Sequence, residues 1–149
     1  MELFKNTPLM AGVLGWFVAQ IIKIIIILSQ RQKVSLKQLF ASGGMPSSHS
    51  SCVCAMTTCL GVQYGVNSPW FAISAVFSFI VMYDAIGVRR ETGEQSKVLN
   101  RLAHDVFVER KVKLIEKDFK ELIGHTPLQV VFGLLLGIII GLVYPQIVG

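Results

Sequence analysis

Residues 42–66 read SGGMPSSHSSCVCAMTTCLGVQYGV. The stretch starts as a glycine- and hydroxyl-rich loop, Ser42 to Ser50, which contains Pro46 and His49 and runs without a break into an apolar segment. Serine and Pro-Ser steps favour helix starts. Backbone N–H groups and hydroxyls at the positive end of a helix can surround one anion. A histidine there adds a group that exchanges a proton near neutral pH. Phosphate is the anion expected. An ordinary N-cap and turn would use the same residues, and the loop alone does not choose between the two.

The rest of the chain supplies the setting. Its 149 residues predict one domain, 1–149, and 52% are hydrophobic, with a mean hydropathy of +0.59. That is too apolar for a soluble domain of this size. About 20 apolar residues cross the hydrocarbon core of a bilayer. Four runs approach that length: Pro8–Leu28, Ser48–Val66, Pro69–Val88 and Pro127–Val148. A tight polar turn, Gly65 to Ser68, separates the second from the third. In the fourth, Gly133, Gly137 and Gly141 recur every four residues, a smooth stripe suited to close helix packing. The expected fold is an all-α membrane protein: a four-transmembrane-helix bundle with an amphipathic cytoplasmic helix between the third and fourth spans. No cleavable signal is evident, because the first apolar run is too long for one. Cys52, Cys54 and Cys59 show no metal-ligand spacing and read as reduced packing residues.

Charge placement predicts orientation. Arg31, Lys33 and Lys37 follow the first span. Arg89, Arg90, Lys97, Arg101, Arg110, Lys111, Lys113, Lys117 and Lys120 lie between the third and fourth, whereas the turn at 65–68 has no Lys or Arg. The positive-inside rule makes the basic connections of a multi-pass cell (inner or plasma) membrane protein cytoplasmic and puts both termini outside. The net charge of +5 is accounted for by this asymmetry, so no nucleic-acid partner is expected. In the long connection, Leu99, Leu102 and Val106, then Val112, Ile115, Phe119 and Leu122, follow helical spacing between charged positions. That pattern suits a helix on the membrane surface, against a partner subunit, or in solvent.

Four polar groups converge on one membrane face in this arrangement. They are the loop with Ser47, Ser48 and His49; Lys23 near the end of the first span; Asp84, Arg89 and Arg90 at the end of the third; and Lys120, Glu121 and His125 leading into the fourth. Arginine pairs with phosphate oxygens bidentately and lysine acts as a point charge. Lys23 can equally snorkel, Arg89 and Arg90 can set topology, and Asp84 can form a structural ion pair. Gln129 lies one turn after His125 and Glu121 one turn before it. Two histidines among cations suit phosphoryl transfer, one attacking phosphorus and the other protonating the leaving oxygen.

Three motifs, Gly-Gly-Met-Pro-Ser-Ser-His-Ser at 43–50, Tyr-Asp-Ala-Ile-Gly-Val-Arg-Arg at 83–90 and Lys-Glu-Leu-Ile-Gly-His-Thr-Pro at 120–127, carry a resemblance that covers nearly the whole chain. The sequence resembles a divergent bacterial and plant branch of the superfamily of type 2 phosphatidic-acid phosphatases, bacterial acid phosphatases and vanadium haloperoxidases. The resemblance implies His125 as nucleophile and His49 as general acid. Lys23, Ser47, Ser48, Arg89, Arg90 and Lys120 would bind phosphate, and Asp84, Glu121 and Gln129 would orient or support them. It implies hydrolysis of a lipid phosphate or pyrophosphate, with membrane lipids as partners, a homo-oligomer left open, and no metal or other cofactor.

Serine replaces the glycine of the superfamily's Pro-Ser-Gly-His motif. Lys23 and Arg31 match its first motif poorly. Gln129 stands where an aspartate would stabilise the His125 imidazolium, and Phe119 where an arginine would sit. These departures keep a second reading open: a non-catalytic membrane protein that holds a phosphate or lipid headgroup, or acts as a scaffold.

Overall fold

A computed structural model of the chain describes residues 2–30, 44–110 and 125–148. Among these, all regular structure is helical. After a short 3-10 turn, Glu2–Lys5, come α1 (Thr7–Ser29), α2 (Ser48–Tyr64), α3 (Pro69–Ile86), α4 (Val88–Arg110) and α5 (Pro127–Val148).

The starts follow local chemistry. The Asn6 side chain accepts from the Leu9 N–H at 3.1 Å to cap α1, Ser47 caps α2, and Ser68 accepts from the Phe71 N–H to cap α3. Proline occupies the first turn of α1 and α3, where its missing N–H costs nothing. Gly65 ends α2 at φ +80°, a backbone region that glycine enters without steric penalty.

Helix α2 is the pole of the bundle, packed against α1, α3 and α5. Its contacts fix the directions of its neighbours. Gly12 lies against Cys52 and Met56 while Gly15 lies against Ser51, and on the other side Ser74 meets Thr57 while Ser78 meets Val53. Helices α1 and α3 therefore run antiparallel to α2. On α5, Gly133, Gly137 and Gly141 lie against Ser47, Ser51 and Ala55 in turn, so α5 runs parallel to α2. The two basic connections accordingly leave from, and return to, the same end of the bundle.

Packing is polar and small inside, apolar outside. The inward stripe of α1 is Pro8, Ala11, Gly12, Gly15, Ala19 and Lys23, and that of α5 is Val130, Gly133, Gly137, Gly141 and Pro145. A Cβ added at Gly137 would stand 2.6 Å from the Ser51 carbonyl oxygen, so the α2–α5 seam is backbone against backbone. The seam with α3 is held by hydroxyls: Thr57 Oγ1 lies 2.6 Å from Ser74 Oγ and 2.8 Å from Ser78 Oγ, and Ser78 donates to the Val53 carbonyl at 3.1 Å. Phe17, Ile21 and Ile25 of α1, Ile73, Phe77 and Ile80 of α3, and Leu135, Ile139 and Leu142 of α5 face outward. Where the surroundings are hydrocarbon, close packing and hydrogen bonds associate the helices, and this is the resulting distribution.

The apolar runs at 8–28, 69–88 and 127–148 thus appear as helices within two residues of their expected ends. Three of the four expected spans have the length and composition of a membrane crossing. Among the described residues these are the helical runs Thr7–Ser29, the continuous Pro69–Leu102, and Pro127–Val148. The expected second span forms a helix but has only 17 residues, many of them hydroxyl-bearing, because its neighbours rather than lipid cover much of it. Helix α4 occupies the first part of the connection where a surface helix is expected; Gly87 alone separates it from α3, and Leu99 and Leu102 are exposed. The second half of that connection, with Val112, Ile115, Phe119 and Leu122, lies outside the described residues. The three cysteines are free thiols.

Candidate phosphate site

The N-termini of α2 and α5 end side by side, because the helices are parallel and the glycine stripe brings them together. The Ser47 N–H donates to the Gln129 carbonyl oxygen at 3.0 Å. Ser47 Oγ is fully buried and accepts from the Ser50 hydroxyl at 2.9 Å and more weakly from the Ser50 N–H at 3.4 Å. Both positive helix ends therefore face the same region, which favours an anion there.

His125 precedes α5 and is 1% exposed. Thr126 and Gln129 form a reciprocal capping box: Gln129 N–H donates to Thr126 Oγ1 at 3.4 Å, and Thr126 N–H donates to Gln129 Oε1 at 3.2 Å. A backbone N–H can only donate, so this second bond fixes which end of the amide is oxygen. The same oxygen lies 3.1 Å from His125 Nδ1. Nδ1 must therefore carry the proton, which leaves the lone pair of the neutral ring on Nε2. Gln129 thus has a structural task as well as an orienting one. The Thr-x-x-Gln spacing before an apolar run carried that signal in the sequence.

Lys23 is 3% exposed and comes from the inner stripe of α1. Its methylenes lie across Gly44, close enough that a Cβ there would be 3.2 Å from Lys23 Cδ, and Gly44 itself sits at φ +94°. A buried ammonium over the glycine loop adds positive charge to the two helix ends.

The structure thus joins Lys23 to the loop at Gly44, and Ser47 to Gln129 and His125. Ser48 is buried in the first turn of α2, whereas His49, the next residue, is exposed. Asp84 lies half-buried in the last turn of α3, at the same end of the bundle. The backbone of Arg89 and Arg90 forms the first turn of α4, also at that end. Lys120 and Glu121 lie outside the described residues. Ser50, Thr126 and Gly44 join the cluster without having been singled out as site residues. Among the described residues, no three His, Cys, Asp or Glu side chains are grouped to hold a metal ion.

Comparison with known proteins identifies the family. A family model described as "Divergent PAP2 family" matches residues 4–140. The uncharacterized membrane protein YuiD of Bacillus subtilis (strain 168) is 41% identical over 152 aligned residues, which cover 96% of each chain. No solved structure matches.

Proposed function

The chain belongs to the divergent PAP2 family and is a membrane protein, and from that premise we propose that it hydrolyses a lipid phosphate or pyrophosphate through a phosphohistidine. The observation that carries the reading is the hydrogen bond from His125 Nδ1 to Gln129 Oε1, which leaves Nε2 as the nucleophilic nitrogen. Nε2 attacks phosphorus, an N–P bond forms, and the P–O bond to the leaving group breaks as His49 gives that oxygen a proton. Water then cleaves the N–P bond. Lys23, Ser47, Ser48, Arg89, Arg90 and Lys120 hold the phosphoryl oxygens, while Asp84 and Glu121 support the cations. Positive groups aimed at these oxygens act most strongly where charge builds in the transition state.

The reading includes four crossings. Helix α2 runs opposite to α1 and α3 and is flanked by three apolar helices, so its hydroxyls meet protein rather than lipid. Its 17 residues span roughly 26 Å, near the lower limit for a bilayer core. With the basic connections cytoplasmic, the site opens on that side of the cell membrane.

A second reading is favoured by the neutrality of Gln129, whose oxygen is already shared with the Thr126 N–H. An amide cannot supply the negative charge that steadies an imidazolium. On this reading the pocket binds a phosphate headgroup without cleaving it.

The deciding experiment measures phosphate release by detergent-purified protein from a panel of lipid phosphates and pyrophosphates, without added metal, beside His125→Ala and His49→Ala. Release that both substitutions abolish supports the hydrolase. Release no greater than in the substituted proteins, from folded protein that still binds inorganic phosphate, leaves the binding reading.

A further inference from the structure

A recess opens at the end of the bundle opposite the histidines, between the start of α1, the end of α2 and the first turn of α3. It has two lobes, of about 460 and 490 Å3, which share Asn6, Pro8 and Tyr64. Lys5, Asn6 and Gln63 give the first lobe its polar wall. Met56, Leu60 and Trp70 line the second. Met56 and Leu60 lie two turns and one turn deeper along α2 than Tyr64, so the recess turns from polar to apolar as it descends. Trp70 and Tyr64, 62% and 59% exposed, stand at its mouth as aromatics do at a membrane–water boundary.

The chemistry of the walls selects the occupant. Asn6 Oδ1 is committed to the Leu9 N–H, so the amide presents its NH2 group. Lys5 contributes an ammonium and Gln63 an amide, and no lining residue carries a carboxylate. Donors and one positive charge above an apolar slot match a phosphate headgroup above an acyl chain. We infer that this recess is a binding site for one anionic phospholipid of the leaflet opposite the candidate phosphate site. The lipid's phosphate lies against Lys5 and Gln63, and one acyl chain lies against Met56, Leu60 and Trp70. The site is distinct from the histidine cluster and independent of any reaction there.

Native mass spectrometry of the full chain, released from detergent in the presence of phosphatidylglycerol or phosphatidylcholine, tests it. The expected result is a single retained phosphatidylglycerol, preferred by about tenfold, as for one charge-assisted contact. Lys5→Gln removes the preference. Leu60→Trp, which fills the apolar lobe, removes retention of both lipids, and Leu9→Phe serves the same purpose should Leu60→Trp fail to fold. His125→Ala keeps the lipid. Retention unchanged by Lys5→Gln and by the lobe-filling variants, or lost in His125→Ala, overturns the proposal, as does a non-saturating ladder of lipids without headgroup preference.

Discussion

The Ser47 N–H donates to the carbonyl oxygen of Gln129 at 3.0 Å, so the cap of α2 is fastened to the first turn of α5. The Gln129 side chain in turn holds His125 and the Thr126 N–H. One residue therefore links the serine-rich loop to the histidine loop, by its backbone on one side and its amide on the other.

Replacing Gln129 separates its two tasks. Gln129→Leu removes the cap and the His125 acceptor together and is expected to cost roughly 1–2 kcal/mol of stability. Gln129→Glu keeps an oxygen in place and puts a negative charge near a helix N-terminus, so stability is retained. If His125 is the nucleophile, the glutamate also steadies its imidazolium and phosphate release rises about tenfold or more. Thermal unfolding and phosphate release, measured on both variants, check this; equal behaviour of Leu and Glu would refute it.

Lys23 should trade stability against binding. Lys23 is 3% exposed, and a lysine buried that far in a membrane bundle is expensive to hold. Lys23→Met is therefore expected to raise the unfolding temperature in phosphate-free buffer. Wild type gains about 2.7 kcal/mol at a phosphate concentration a hundred times its dissociation constant, and the methionine variant should lose that gain. A variant that unfolds earlier and still responds to phosphate would show that Lys23 serves packing alone.

The glycine seam predicts sensitivity to a single methyl group. In Gly137→Ala the new Cβ meets the Ser51 carbonyl oxygen at 2.6 Å and Cys54 Cβ at 2.8 Å, both on a helix that cannot yield easily. A loss of about 1–3 kcal/mol is expected from such overpacking. Gly61→Ala should cost less, since its new methyl meets the Phe71 ring at 3.1 Å and a ring can turn aside. Unfolding midpoints of the two variants in one detergent make the comparison.

Orientation is checked by cysteine labelling. With four crossings and cytoplasmic basic connections, Asn67→Cys in the α2–α3 turn reacts with a membrane-impermeant maleimide added to intact cells, and Arg101→Cys on α4 reacts only after lysis. The reverse pattern would place the candidate site on the outer face.

Much of the fold was legible because lipid imposes simple demands. The runs at 8–28, 69–88 and 127–148 are long and almost free of charge, and the repeat Gly133, Gly137, Gly141 announced a close helix contact. Helix α2 was harder to read. Its serines, threonines and cysteines are spread around the helix, and only the positions of three neighbours decide which of them are buried. In the candidate site, His125 and Gln129 were legible from their one-turn spacing. The crossing of Lys23 over Gly44 was not, because it joins residues 21 positions apart through tertiary packing. The capping box of Thr126 and Gln129 was written in the sequence as Thr-x-x-Gln, whereas the sharing of its oxygen with His125 needed the folded backbone.

The central place of α2 also bears on how the protein is made. Its least apolar surfaces are covered by α1 and α3 on two sides and by the glycine stripe of α5 on the third, and α5 is translated last of the four. While the ribosome is still reading residues 127–148, the backbone of α2 along Ser47, Ser51 and Ala55 has not yet met its closest neighbour. A nascent chain stalled before Gly133 would therefore leave that polar groove without its cover.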